Sequence, residues 1–230
     1  MSTVQDVIER MREIDRSLDP GDGVACFNRV YLRVTELVLR NLKEGFFADL
    51  EFVQRLDVIF ADLYFRNVDA ALAGRRPERC WRPLFQARED TTVWPLQFVL
   101  AGMNAHINHD LALAVIATCA ERDLPPDREP VHADFLKVNG LLAQVEAEVR
   151  RDLEPYLLRV ATKDAETIKH ILGSFSVARA RDMAWCTVES LWPQRELDVL
   201  YDTSVAVLSQ AVGVVGRLLV TPVVPPPDLD

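Results

Sequence analysis

The sequence predicts an all-α fold, a single compact bundle of about seven to eight helices. Three observations carry that expectation. Apolar residues recur at helical spacing through most of the chain. No alternating period-2 run reaches the length of a strand. The links between periodic segments are short, so neighbouring helices pack antiparallel. The 230 residues are 49% hydrophobic, enough to bury a sizeable core. The domain is read as residues 1–220, with a proline-rich tail at 221–230.

The elements follow in order. Ser2 with Gln5 has the form of a capping box and opens a first helix to about residue 17. "DPGDG" at 19–23 is a turn. A second helix runs from Val24 to about Glu44, with Phe27, Val30, Tyr31, Val34, Leu37 and Val38 on its apolar face and Gly45 as its stop. Asp49 caps a third, which reaches Ala73 and ends at Gly74. "CWRPLFQA" holds a short helix pinned by Trp81, Leu84 and Phe85. A long helix covers residues 93–121, and the proline-rich "RDLPPDREP" follows it. Further helices are expected at 131–152, with Pro155 at its end, at 163–172, at 174–191 and, beyond Pro193, at 194–219. The tail "TPVVPPPDLD" reads as an extended arm.

Charge and composition exclude several classes. The net charge is −9 and no basic stripe occurs, so neither nucleic acid nor an anionic membrane surface is an expected partner. The N-terminus lacks a signal-peptide pattern, and no unbroken apolar run reaches membrane length. A cytoplasmic protein is expected. The four cysteines are widely spaced and read as buried free thiols. GxGxxG, GxxxxGK[ST], HExxH, GxSxG, paired ExxH and DDxxD are all missing.

"GMNAHINHDLAL", residues 102–113, is the informative stretch. Five polar residues sit in a segment that is otherwise apolar on every side, which marks a buried helix. On a wheel of about 100° per residue, Gln97, Asn104 and Asn108 share one side while His106 and Asp110 share nearly the opposite one. His106 and Asp110 are spaced i, i+4, so both reach one point above the helix. That pattern suits two metal ligands, or a carboxylate orienting an imidazole. Asp57 lies among Val53, Phe60, Ala61 and Tyr64 instead of on the charged stripe of its helix, and Arg181 lies among Val177, Trp185 and Val188. Such departures from binary pattern concentrate at functional or strained sites.

The candidate site is therefore His106, Asp110, Asp57 and Tyr64 for catalysis, with Asn104, Asn108, Arg181 and Gln97 for substrate. If a divalent metal binds, His106, Asp110, Asp57, His109 and Asp134 are its candidate ligands, and imidazole plus carboxylate suits zinc, iron or manganese. The expected function is a small-molecule enzyme. It is a hydrolase or lyase if metal-dependent, and otherwise an acid/base lyase, isomerase or cyclase without a cofactor. The alternative is a helical binding or scaffold protein whose polar cluster is a hydrogen-bond network. A small molecule is the expected partner, and a homodimer is the quaternary option.

"GMNAHINHDLALAV", together with "FADLEFVQRLDVIFADLYF", "CWRPLF" and "FLKVNGLL", resembles an uncharacterised family of all-helical bacterial proteins known as a domain of unknown function. The resemblance covers residues 24–215. It implies helices and draws attention to Asn104, His106, Asn108 and Asp110; it implies no reaction.

Overall fold

Residues 3–138, 140–142 and 176–222 are described by the structure, a computed structural model. The first helix, α1 (Val4–Ser17), starts one residue later than the Ser2 pattern predicts. Thr3 is its cap: the Thr3 hydroxyl accepts from the Asp6 amide and the Asp6 carboxylate accepts from the Thr3 amide. Aspartate closes the box as well as the expected glutamine does. This start brings Val4, Val7, Met11 and Ile14 onto the buried face.

Asp22 caps α2 (Gly23–Lys43), and Gly45 follows its end at a positive φ of 70° that favours glycine. Asp49 caps α3 (Leu50–Leu72) through the Phe52 amide. The short α4 (Arg82–Ala87) stands where "CWRPLFQA" places it, with Trp81 and Leu84 buried. The predicted helix at 93–121 is three pieces: α5 (Pro95–Ala105), a π-helical turn (His106–Asp110) and α6 (Leu111–Glu121). Helix α7 begins at residue 131 and is described through residues 131–138 and 140–142. Ser176 caps α8 (Val177–Leu191). Pro193 sits in a 3-10 turn (Trp192–Gln194), so the last helix, α9 (Asp198–Leu219), starts four residues later than expected. Pro155, the expected helix at 163–172 and most of the tail lie outside the described residues.

Among the described residues there is no strand. The helices build two apolar cores. One gathers α1, α2, the second half of α3, α4 and α5 around Val7, Phe27, Tyr31, Tyr64 and Trp81. The other gathers α3, α6, α7 and α8 around Phe52, Leu111, Val115, Phe135 and Val188. Val34, Leu42, Phe60 and Met103 pack against both. The π turn lies at this seam, with Ala105 in the first core and Ile107 in the second.

Helix α9 closes the first core with Val212 and presses its backbone on the segment before α4. A Cβ on Gly213 would come within 2.6 Å of the Arg79 carbonyl oxygen. Its outer face carries exposed Val199, Val207, Val214 and Leu218. The sequence expectation of no membrane-length segment rests on unbroken apolar runs. Averaged over 18 residues, α9 is apolar and long enough to cross a membrane, with 22% of that window buried. Length and composition alone are weak evidence for a span.

Candidate functional site

In the π turn the Leu111 amide donates to the carbonyl of His106, five residues back. The extra residue in the turn breaks the α register, a feature frequent at functional sites. Its result is that two imidazoles meet one carboxylate. His106 Nδ1 lies 3.0 Å from Asp110 Oδ2, and His109 Nδ1 lies 2.8 Å from Asp110 Oδ1. The buried Trp81 indole N–H donates to Asp110 Oδ2 at 2.9 Å. Burial pushes the Asp110 carboxyl up, but the hydrogen bonds from His106 and His109 outweigh it and hold it below the usual carboxylate range. An ionised Asp110 only accepts, so both Nδ1 atoms donate. The His106 ring, which burial keeps neutral, then presents its Nε2 lone pair. Both Nε2 atoms are buried without a partner.

His106 sits in an aromatic box. Phe60 stacks on it at 3.5 Å between ring centroids, nearly parallel, and Tyr31 meets it edge-on at 4.4 Å. Burial depresses its pKa, and Asp110 offsets part of the shift. The ring lines a cavity of about 80 Å³ between α2, α3, α5, α7 and α8. Asp57, Tyr31 and Arg181 line it as well, among apolar side chains such as Val38, Leu56 and Met103. Asp57 Oδ2 and the Tyr31 hydroxyl, like His106 Nε2, have no hydrogen-bond partner. Burial alone raises the Asp57 carboxyl to about 7. Burial, with Asp57 and Asp110 nearby, raises the Tyr31 hydroxyl. Arg181 donates to the Phe135 carbonyl at 2.7 Å and lies over that residue's ring, and burial lowers it to about 9.

The other sequence-predicted residues lie elsewhere. Tyr64 does not line the cavity; its hydroxyl donates to Asn28 in the first core. Asp134 is also outside. Its carboxylate accepts from the Ala48 and Asp49 amides ahead of α3 and from the Lys137 ammonium. Gln97 donates to the carbonyls of Leu219 and Thr221, and Asn104 donates to the Val212 carbonyl. Asn108 donates to Asn104. Gln97 and Asn104 tie α5 to the end of α9, and Asn108 ties the π turn to Asn104. Among the described residues, His109 and Asp110 of the five metal candidates join a group of three whose ligand atoms lie within 4.8 Å of one another, and its third member is Cys80.

Sequence reasoning missed Tyr31, Trp81 and Cys80. Tyr31 and Trp81 read as packing residues, and Cys80 as one of four buried free thiols, of which Cys26, Cys80 and Cys119 are buried and Cys186 is exposed. A buried indole N–H needs an acceptor, and that requirement was the one signal linking "CWRPLF" to a buried aspartate. A larger surface groove of about 530 Å³, lined by Arg55, Asp62, Arg66, Glu121 and Tyr201, contains none of the predicted residues. Arg55 and Glu121 pair at 2.6 Å on its wall.

Residues 4–222 match a protein family described as a family of unknown function (DUF5995), and the chain belongs to it. No curated protein and no solved structure matches the chain.

Proposed function

We propose that this member of a family of unknown function is a small-molecule enzyme that moves protons in the cavity at the seam of its two cores. The observation that carries this reading is the convergence of three unpartnered polar groups on one small cavity: Tyr31, Asp57 and His106. A buried polar atom without a hydrogen bond costs about 1–3 kcal/mol. Three around one space are a standing destabilisation that packing alone does not require.

The roles follow from the chemistry of each group. His106 Nε2 is the base, with Asp110 fixing its tautomer and Trp81 fixing Asp110. Asp57, with its pKa near neutrality, is the acid that returns the proton. An imidazole that burial keeps neutral, facing a carboxyl that burial keeps protonated, can relocate a proton within one substrate or assist elimination, which is isomerase or lyase chemistry. Tyr31 is the hydrogen-bond donor in the position first expected of Tyr64. The cavity is roughly half the volume of one that takes benzene, so the reacting part of the substrate is small.

Deuterium wash-in tests this. The chain is incubated in D₂O with a panel of small carbonyl compounds and carboxylic acids, and C–H exchange is followed by proton NMR. The expected result is exchange on at least one compound, abolished in His106→Gln and Asp57→Asn at unchanged helicity. Exchange that persists in His106→Gln, or none on any compound, contradicts the proposal.

The scaffold reading is supported by Gln97 and Asn104, which do act as structural clips. It gives no reason for the unpartnered carboxylate of Asp57.

A further inference from the structure

We infer that Cys80, His109 and Asp110 form a site for one divalent cation of the zinc type. Cys80 Sγ, a ring nitrogen of His109 and a carboxylate oxygen of Asp110 lie within 4.8 Å of one another. All three residues are buried. Neither Cys80 nor His109 lines the cavity, so the inference stands on other observations than the proton-transfer proposal.

Charge is the first of them. Asp110 is a buried anion whose ion-pair partners are two histidines, with no lysine or arginine among the described residues. Buried charges are ordinarily paired or coordinate a metal. A divalent cation held by one thiolate, one carboxylate and a neutral imidazole makes a site with no net charge.

Donor capacity is the second. A carboxylate offers about four lone-pair directions. Asp110 Oδ2 receives Trp81 and His106, whereas Oδ1 receives His109 alone. One direction on Oδ1 is open, and a cation there leaves the hold on His106 intact. His109 Nδ1 lies 2.8 Å from Oδ1, so a cation between them takes the place of that hydrogen bond and the ring proton moves to Nε2, which is buried without a partner.

Rigidity is the third. The Cys80 amide donates to Ser209 of α9, and Gly213 of the same helix abuts the Arg79 carbonyl and the Cys80 Cα. The thiol is therefore carried on a backbone clamped by α9. Burial raises its pKa, so the proton leaves when the metal arrives: M²⁺ and the thiol give the metal thiolate and one proton to solvent. Mixed sulfur, nitrogen and oxygen donors suit zinc.

Cobalt(II) chloride is the probe, added to the metal-free full-length chain. The expected result is a near-ultraviolet thiolate-to-cobalt band that saturates at one equivalent, is displaced by zinc, and accompanies release of a proton. The band should persist in the triple variant Cys26→Ala, Cys119→Ala, Cys186→Ala, which retains Cys80 as its only thiol. It should vanish in Cys80→Ala, and His109→Gln should weaken binding by roughly tenfold or more. No band in the wild-type chain, or a band lost in the triple variant, overturns the inference. These two arms decide it even if Cys80→Ala does not fold. Their failure leaves the wash-in result untouched, so the two proposals are separable.

Discussion

Asp57 is a carboxyl held in surroundings that disfavour its charged form. Its folded pKa is near 7 against an ordinary 3.8. The carboxyl is neutral in the fold over a range where the unfolded chain ionises it. Its contribution to stability is fully present below pH 3.8 and is lost as pH rises to about 7, after which the loss is constant. Among the described residues, the titratable groups facing the same cavity are Tyr31 from α2, His106 from the π turn and Arg181 from α8. Asp57→Asn lacks the penalty. Urea unfolding at pH 5 and pH 8 should show the variant more stable than wild type, with the larger gain at pH 8. The upper bound on that gain is about 4 kcal/mol. A variant that is more stable and yet inactive in wash-in is the expected signature of a functional residue. Equal gains at both pH values would remove the ionisation argument.

At the scale of elements, the decisive feature is the π turn, and it shows how far the sequence could be read. Helix periodicity locates α2 and α3 to within a residue or two of their ends, because caps and stop glycines mark both. It also isolates "HINHD" as out of place. It assumes one register from residue 93 to 121, however, and a wheel drawn in that register puts His109 to one side of the His106–Asp110 pair. The turn's added residue brings His109 onto the same carboxylate. Nothing local in the sequence announces such a change of hydrogen bonding. The last helix is an element held by side-chain clips. Gln97→Ala leaves the Trp94 amide and the carbonyls at the end of α9 without their partner. A loss of about 1–3 kcal/mol is expected, with faster amide exchange across residues 212–220. Unchanged exchange there would show that packing alone holds α9.

Over the whole molecule, the site belongs to neither core but to their meeting. Phe27 and Tyr31 come from one core, Leu56 and Leu111 from the other, and the unpartnered polar groups lie between them. The close fit of Gly102 against Phe27 helps to set this seam, since a Cβ there would come within 2.3 Å of the ring. The sequence showed Asp57, His106, Asp110 and Arg181 as anomalies on separate helices. That three of them line one cavity while Asp134 and Tyr64 do not is a consequence of packing, and packing is not written in any one helix. Desolvation of Asp57 likewise requires α2, the π turn and α8 assembled around α3. The central claim is that the folded molecule keeps an acid and a base together in that seam at neutral pH. The most direct measurement is a carbon-13 NMR titration of the Asp57 side-chain carboxyl in the folded, wild-type chain. A midpoint near 7 is the predicted result; a midpoint in the ordinary carboxylate range, near 4, would contradict the account.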